Sequence, residues 1–152
     1  MVKVRVPATS ANIGPGFDSM GLALGLYNYV TAEETDGGLV IDILDETSAF
    51  LAKDERNLVY RSMKAVFDKV GYQPKGLHLT MENNIMVTRG LGSSSAGIVS
   101  GLVAANEICG KPLSTETILR NGCLPEFYRR HPFCFNLNSL VVIIIYIFIN
   151  GI

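Results

Sequence analysis

The chain has 152 residues, with 13 Lys and Arg, 14 Asp and Glu and a formal net charge of −1. This length corresponds to about one domain of roughly 150 residues. The balanced charge argues against a nucleic-acid-binding protein, which would carry a clustered excess of basic residues. An apolar fraction of 48% argues against a disordered chain.

The N-terminal residues and the cysteines indicate the compartment. Residues 1–7 alternate between polar and apolar side chains without a continuous apolar run, so we expect no secretory signal. The three cysteines (Cys109, Cys123 and Cys134) are odd in number and are not spaced as metal ligands. With only two histidines, far apart in the chain, the sequence does not predict a zinc site. These features favour a reduced, cytoplasmic setting.

The first part of the chain has the pattern of β-strands. Residues 2–6 alternate valine with basic residues, which predicts a half-buried strand that Pro7 ends. Residues 22–34 turn to a period of two and predict a second strand. The Asp-Gly-Gly turn at 36–38 leads into alternating residues 39–43, so we predict that these strands form a hairpin.

Helix signals follow. Asn57 is a good N-cap for an amphipathic helix that Gly71 would end. Residues 76–82 predict another strand, and residues 94–109 a second helix with a stripe of small residues for close packing. Ser114 can cap a third helix. Strands interleaved with helices predict an α+β or mixed α/β fold.

A glycine–serine loop between a predicted strand and helix has the context of an anion site. Gly90 and Gly92 allow close approach of the backbone, and the first N–H groups of a helix attract a phosphate. The hydroxyls of Ser93, Ser94 and Ser95 can contact phosphate oxygens or Mg²⁺. No Lys follows as in a P-loop, and a third glycine of the dinucleotide fingerprint is missing. On the loop alone, a serine-rich N-cap after a flexible turn is an equal interpretation.

A second loop, at about residues 8–16 and continuing to Gly21, is rich in small residues. It places one amide, Asn12, and one carboxylate, Asp18, among glycines. Such a pair suits a small ligand that carries an amine and a hydroxyl. Taken alone, an ordinary glycine-rich connection in which Asp18 caps a turn explains it as well.

The two loops together resemble the GHMP kinase superfamily, and within it the homoserine kinase family. The resemblance lies in PATSANIGPGFDSMGLAL at residues 7–24 and RGLGSSSA at residues 89–96, and it extends over residues 2–120. It implies an α+β fold, the GHMP kinase N-terminal domain (ribosomal protein S5 domain 2-like), with a mixed sheet and helices on one side. We therefore assign residues 1–120 to an incomplete ATP-binding domain.

The resemblance also implies an activity: ATP- and Mg²⁺-dependent phosphorylation of the L-homoserine hydroxyl to O-phospho-L-homoserine, a step of threonine biosynthesis. Asn12 and Asp18 would bind homoserine, Asn57 would lie by the nucleoside, and Ser94 would be the hydroxyl nearest Mg²⁺. The ATP phosphates would contact Arg89, Gly90, Leu91, Gly92, Ser93, Ser94, Ser95 and Ala96. No nucleic acid or membrane partner is expected, and the family is often homodimeric.

Two departures from the family stand out. Residues 85–88 lack the proline usual before the Arg, and the acidic segment with its metal-ligating Glu and Glu-Gly-His-Pro-Asp-Asn run does not occur. Residues 121–152 differ from the family, and residues 140–149 are all apolar, too short for a membrane span of about 20 residues. We interpret them as a frameshifted or spliced tail, with a buried strand as the alternative. If exposed, this apolar segment would be prone to aggregation.

We therefore expect a truncated and catalytically impaired homoserine kinase chain of poor solubility. Two other functions remain open. One is a non-catalytic nucleotide-binding fragment or pseudokinase, and the other is a different GHMP small-molecule kinase.

Overall fold

A computed structural model describes residues 1–11 and 21–118. The predictions for Asn12, Asp18 and residues 121–152 lie outside this part of the chain. The elements, in chain order, are β1 (Val2–Ala11), β2 (Gly21–Thr35), β3 (Gly38–Ile43), a 3₁₀ helix (Glu46–Ala49), α1 (Leu58–Val70), β4 (Gly76–Glu82), α2 (Ser93–Ile108) and α3 (Thr115–Thr117).

The strands form one mixed sheet with the order β1-β2-β4-β3. β1 and β4 both run antiparallel to β2, whereas β3 runs parallel to β4. α1 and α2 pack against each other, and α2 packs on β1 and β2. Alternate strand residues such as Val6 and Leu79 are buried in a core shared with the helices, while Lys3 and Arg5 are exposed. The predicted mixed sheet in an α+β fold is confirmed.

The predicted hairpin of residues 22–34 and 39–43 is wrong. The turn at 36–38 is present, but β4 lies between β2 and β3, so that Gly76 pairs with both Thr35 and Gly38. A Cβ at Gly76 would overlap the backbone of Gly37 and the Thr35 hydroxyl. A glycine at this position therefore lets β4 enter between two strands whose sequence alone favours direct pairing.

The predicted end of the first strand at Pro7 is also wrong, because β1 continues to Ala11. Pro7 lies opposite Tyr27, and the register shifts directly after it, between Pro7 and Ala8. β1 is an edge strand, and edge positions and bulges are where a sheet tolerates a residue without an N–H. The strand therefore carries the chain beyond Pro7 toward the loop before α2.

The helix predictions agree with the structure to within a residue. Asn57 caps α1 by accepting from the N–H groups of Val59 and Tyr60, and Gly71 ends it in the left-handed conformation with φ of 72°. Ser114 caps α3, as predicted. α2 begins at Ser93 rather than at residue 94. Within residues 1–11 and 21–118, no helix is long and apolar enough to cross a bilayer.

Candidate functional site

The segment between β4 and α2 makes a tight turn before the helix begins. Thr88, Gly90 and Gly92 all have positive φ, at 63°, 72° and 74°. Glycine adopts this region without the steric penalty that a side chain brings. Two of the three residues with positive φ in this turn are therefore glycines, which adopt it without steric cost.

The N-terminus of α2 has no side-chain cap. Its capping residue is Gly92, and among residues 1–11 and 21–118 no side chain caps the first-turn N–H groups. By contrast, Asn57 caps α1, Asp45 caps the 3₁₀ helix and Ser114 caps α3. The first N–H groups of a helix have no acceptor within the helix, so α2 offers donors, and the positive end of its dipole, to an anion. The serine-rich N-cap considered as an alternative is absent, since the cap is a glycine.

A cavity of about 190 Å³ opens beside this helix end. Ser93, Ser94 and Gly97 of α2 line it together with Asn57, which lies directly before α1. The remaining lining comes from Thr47, Phe50, Leu51, Ala52, Arg56, Leu58, Val59, Met81, Asn83 and Val87. The structure thus brings together residues that the sequence assigned to phosphate and nucleoside.

Asn57 is 4% exposed, and its amide is fully used within the protein. Its oxygen accepts from the N–H groups of Val59 and Tyr60 at 2.9 and 3.4 Å. Its nitrogen donates to Ala52 O at 2.7 Å and lies 3.6 Å from Met81 Sδ. Asn57 therefore joins α1, the preceding loop and β4, and shapes the cavity wall through these bonds.

A polar network lies at the β4 end of the cavity. Asp45 accepts from the backbone and side-chain amides of Asn83 at 2.7 and 3.1 Å, and from Thr47 N at 2.9 Å. The buried Asn28 accepts from Ile85 N at 2.8 Å. Partial burial raises the pKa of Asp45, but hydrogen bonds from Thr47 and Asn83 outweigh it, and the net pKa lies below its ordinary value.

Arg56 is the cation in the described lining, and it is paired with a neighbour. Its guanidinium contacts both carboxylate oxygens of Asp54, at 2.7 to 3.1 Å. Hydrogen bonding to Arg56 lowers the pKa of Asp54. The Arg56 side chain is 83% exposed, so its charge stands at the open side of the cavity.

The other predicted phosphate contacts are not part of the cavity lining and fall into three groups, of which the first, Leu91 and Gly92, is half-buried directly before α2. Arg89 and Gly90 are exposed on the turn before the helix and are not part of the cavity lining. Ser95 and Ala96 face the core, at 8% and 1% exposure, and the Ala96 N–H already donates to Gly92 O at 2.8 Å. Ser93 and Ser94 are thus the hydroxyls of this loop that line the cavity.

Several lining residues had no sequence signal. Phe50 and Leu51 follow the 3₁₀ helix, and Met81 and Asn83 lie at the end of β4. The fold brings them together because β4 lies beside β3, and the segment that follows β4 leads to α2. Asn83 is a polar residue directly after a buried strand, and this position in the sequence is a signal that could have indicated a lining residue.

The described residues do not form a magnesium site by themselves. Within residues 1–11 and 21–118, no group of three or more His, Cys, Asp or Glu side chains lies close enough to hold a metal ion. Among the described lining residues, Ser93 and Ser94 offer hydroxyls, but none is an Asp or Glu. Protein-bound Mg²⁺ usually has one or two carboxylate ligands.

The sequence and the fold match a known class of proteins. Residues 57–128 match the family model described as GHMP kinases N terminal domain. The segment includes Asn57, the glycine–serine loop and both long helices. The chain therefore carries a GHMP kinase N-terminal domain.

Within that class, the chain is similar to homoserine kinases. It is 55% identical over 119 residues to the homoserine kinase of Petrotoga mobilis and 52% identical to that of Caldicellulosiruptor bescii. These matches cover 78% of this chain but only 39% and 38% of the relatives. A crystal structure of homoserine kinase from Cytophaga hutchinsonii superposes with a TM-score of 0.69 at 30% identity, covering 78% of this chain and 38% of that one. The chain thus spans about two fifths of the length of its curated relatives.

Proposed function

We propose that this chain binds ATP, with the triphosphate at the N-terminus of α2 and the nucleoside in the adjoining cavity. The observation that carries the proposal is the uncapped start of α2 at Gly92, with Ser93 and Ser94 in the wall of the cavity. At the other three described helix starts a side chain accepts from one or two of the first N–H groups, whereas Gly92 leaves those of α2 without a side-chain cap. The match to the GHMP kinase N-terminal domain supports the same assignment.

The chemistry of the cavity wall supports a nucleoside rather than a second anion. Phe50, Leu51, Val59 and Met81 supply apolar and aromatic surface, and Thr47 and Asn83 supply polar atoms. Such a mixture suits the flat, mostly apolar face of a base with a few directed hydrogen bonds. At the open side lies the exposed guanidinium of Arg56, which is paired with Asp54.

We further propose that the bound ATP phosphorylates the side-chain hydroxyl of L-homoserine, as the similarity to homoserine kinases suggests. In that reaction the bond between the γ-phosphorus and the bridging oxygen of ATP breaks, and a bond from the homoserine oxygen to phosphorus forms. ADP leaves, and the hydroxyl proton is released. Phosphoryl transfer depends mainly on positioning and charge stabilisation, which a glycine loop and a helix N-terminus provide. Asn12 and Asp18 are the proposed contacts of homoserine.

Turnover by this chain is proposed to be slow. The acidic Glu-Gly-His-Pro-Asp-Asn run of the family does not occur in its 152 residues. The described lining residues include no Asp or Glu that would hold Mg²⁺, the ion that would neutralise the phosphates. We propose that Ser94 is the hydroxyl nearest to Mg²⁺. Nucleotide binding without fast turnover is the combination that these features favour.

Two measurements on the full chain test the proposal. Calorimetric titration with a non-hydrolysable Mg–ATP analogue should give a saturable binding curve, and absence of binding would contradict the nucleotide assignment. Coupled detection of ADP in the presence of ATP should show little release with L-homoserine. Turnover comparable to a full-length homoserine kinase would contradict slow catalysis, and faster release with a different small alcohol would contradict the choice of homoserine.

A further inference from the structure

The end of β1 contacts the loop that leads into α2. The backbone N–H of Thr9 donates to Leu91 O at 3.0 Å. Thr9 lies beyond the shift in register that follows Pro7, in the part of β1 nearest the loop before α2. Its side chain is buried, with 4% exposed. An edge strand is thereby joined to the turn that precedes the uncapped helix start.

The side chain of Thr9 fills the space in which residue 92 would carry a Cβ. A Cβ built on Gly92 would overlap Thr9 Oγ1 and would lie 3.4 Å from Thr9 O and 3.5 Å from Thr9 Cβ. Gly92 also has φ of 74°, which disfavours any side chain. Position 92 is thus restricted to glycine for two separate reasons, one from its own backbone and one from Thr9.

Gly90 shows what the loop is like without such a contact. It has nearly the same φ, 72°, but within the described part of the chain no atom beyond its direct neighbours lies within 4 Å of the position that a Cβ would take. Together with the positive φ of Thr88, this leaves an exposed turn that contains two glycines and is fixed at its far end. The contact with Thr9 lies at that end, directly before Ser93.

We propose that Thr9 is a positioning residue for the phosphate loop. Its N–H holds Leu91, and its side chain packs against the backbone of Gly92, so that α2 begins at a fixed place beside the cavity. A loop that samples other conformations binds its ligand more weakly, by the fraction of time spent in the competent one. This inference rests on the proposed function, because the loop is taken to bind the ATP phosphates.

The test compares variants of the full chain by titration with a non-hydrolysable Mg–ATP analogue. Thr9→Ala keeps the backbone hydrogen bond but removes the packing, and should raise the Kd by roughly tenfold. Thr9→Ser restores an oxygen at the same position and should return the Kd to within about twofold of the wild type. Val30→Ala, which removes buried side-chain atoms in the core, controls for a general loss of stability and should leave the Kd unchanged at temperatures where the variant is folded.

A double-mutant cycle tests the contact itself. Gly92→Ala should weaken binding more than Gly90→Ala does, since only position 92 faces Thr9. In the Thr9→Ala background the overlap is gone, so Gly92→Ala should cost less than in the wild type. Equal Kd values for wild type and Thr9→Ala, or additive effects of Thr9→Ala and Gly92→Ala, would overturn the role of Thr9. A wild-type chain that does not bind the analogue would overturn the proposed function, and the positioning role with it.

Discussion

Asp45 holds Asn83 through a single carboxylate oxygen. Oδ2 accepts from the Asn83 backbone N–H at 2.7 Å and from its side-chain amide at 3.1 Å, while Oδ1 accepts from Thr47 N at 2.9 Å. Thr47 and Asn83 both line the cavity, on segments that are far apart in sequence. One partly exposed carboxylate thus fixes two sides of the candidate site relative to each other.

This arrangement predicts a pH-dependent contribution of Asp45 to stability. Because folding lowers the pKa of Asp45, the contribution is complete above the pKa of an unfolded Asp, about 3.9. It is lost as the pH falls through the lower pKa of the folded protein. Asp45→Asn keeps one accepting oxygen but puts an NH2 group, which cannot accept, in place of the other. It should therefore lower the free energy of unfolding at pH 7 by about 1 kcal/mol, the typical value of a lost hydrogen bond, and the difference should shrink below about pH 4.

Urea unfolding at pH 7 and at pH 3 measures this difference. Glu46→Gln is the control, because Glu46 is an exposed carboxylate next in sequence and should show a much smaller effect at pH 7. A difference between Asp45→Asn and wild type that is the same at both pH values would contradict the prediction.

The contact of α1 with α2 predicts opposite effects for two glycines of one helix face. A Cβ at Gly101 would overlap Val59 O and lie 2.8 Å from Ser62 Cβ, whereas at Gly97 it would meet Val59 Cγ2 at 3.7 Å and Leu58 Cδ2 at 3.9 Å. Gly101→Ala should destabilise the chain by about 1–3 kcal/mol. Gly97→Ala should be neutral or stabilising by up to about 1 kcal/mol, because alanine favours a helix.

Denaturant unfolding of both variants decides the matter, since the two substitutions add the same methyl group to the same helix. Equal stability of Gly101→Ala and Gly97→Ala would show that the two helices can move apart without cost. A loss for Gly101→Ala alone would confirm that backbone contact, not helix propensity, determines this position.

Local signals predicted the helices and failed at strand order. The cap at Asn57 and the left-handed Gly71 define α1 within its own residues, so their pattern was sufficient. The pairing of β4 with both β2 and β3 depends on Gly76, many residues from the turn that it passes. No pattern within residues 22–43 distinguishes a hairpin from two strands separated by a third. Pro7 likewise ends a strand by local rules, and only its edge position explains why β1 continues.

The candidate site was predictable where it is continuous in sequence. The sequence predicted the glycine–serine loop as an anion site, because glycines followed by hydroxyl side chains at a helix start are a local pattern. Phe50, Met81 and Thr9 gave no such signal, because each acts through a neighbour that is brought close by the fold. The sequence thus predicted the N-terminus of α2 as the candidate site, and the structure identified the residues that line the cavity beside it.

Asn57 has two functions that substitution can separate. Asn57→Ala removes both the cap of α1 and the bond to Ala52 O, and should lower the free energy of unfolding by about 2 kcal/mol. Asn57→Ser retains a capping oxygen but is too short to keep the bond to Ala52, so its loss should be about 1 kcal/mol.

Thermal or urea unfolding measures the first effect, and titration with the Mg–ATP analogue measures the second. Both variants should weaken nucleotide binding if the bond to Ala52 shapes the cavity. Unchanged binding in Asn57→Ser would show that the cap alone accounts for the residue. The prediction that Asn57 lies by the nucleoside would then lose its support.

Ser94 gives the most direct test of the phosphate assignment. Its side chain is exposed and lines the cavity, so Ser94→Ala should leave the free energy of unfolding within about 0.5 kcal/mol of the wild type. Loss of a hydrogen bond to a charged group costs about 1.5–3 kcal/mol, so binding of the Mg–ATP analogue should weaken by at least about tenfold. Thr115→Ala removes a first-turn hydroxyl from α3, away from the cavity lining, and should leave binding unchanged. The control is matched because both substitutions remove a hydroxyl from the first turn of a helix, and only α2 starts without a side-chain cap. Equal affinities of Ser94→Ala and Thr115→Ala would therefore mean that the triphosphate does not contact the Ser94 hydroxyl.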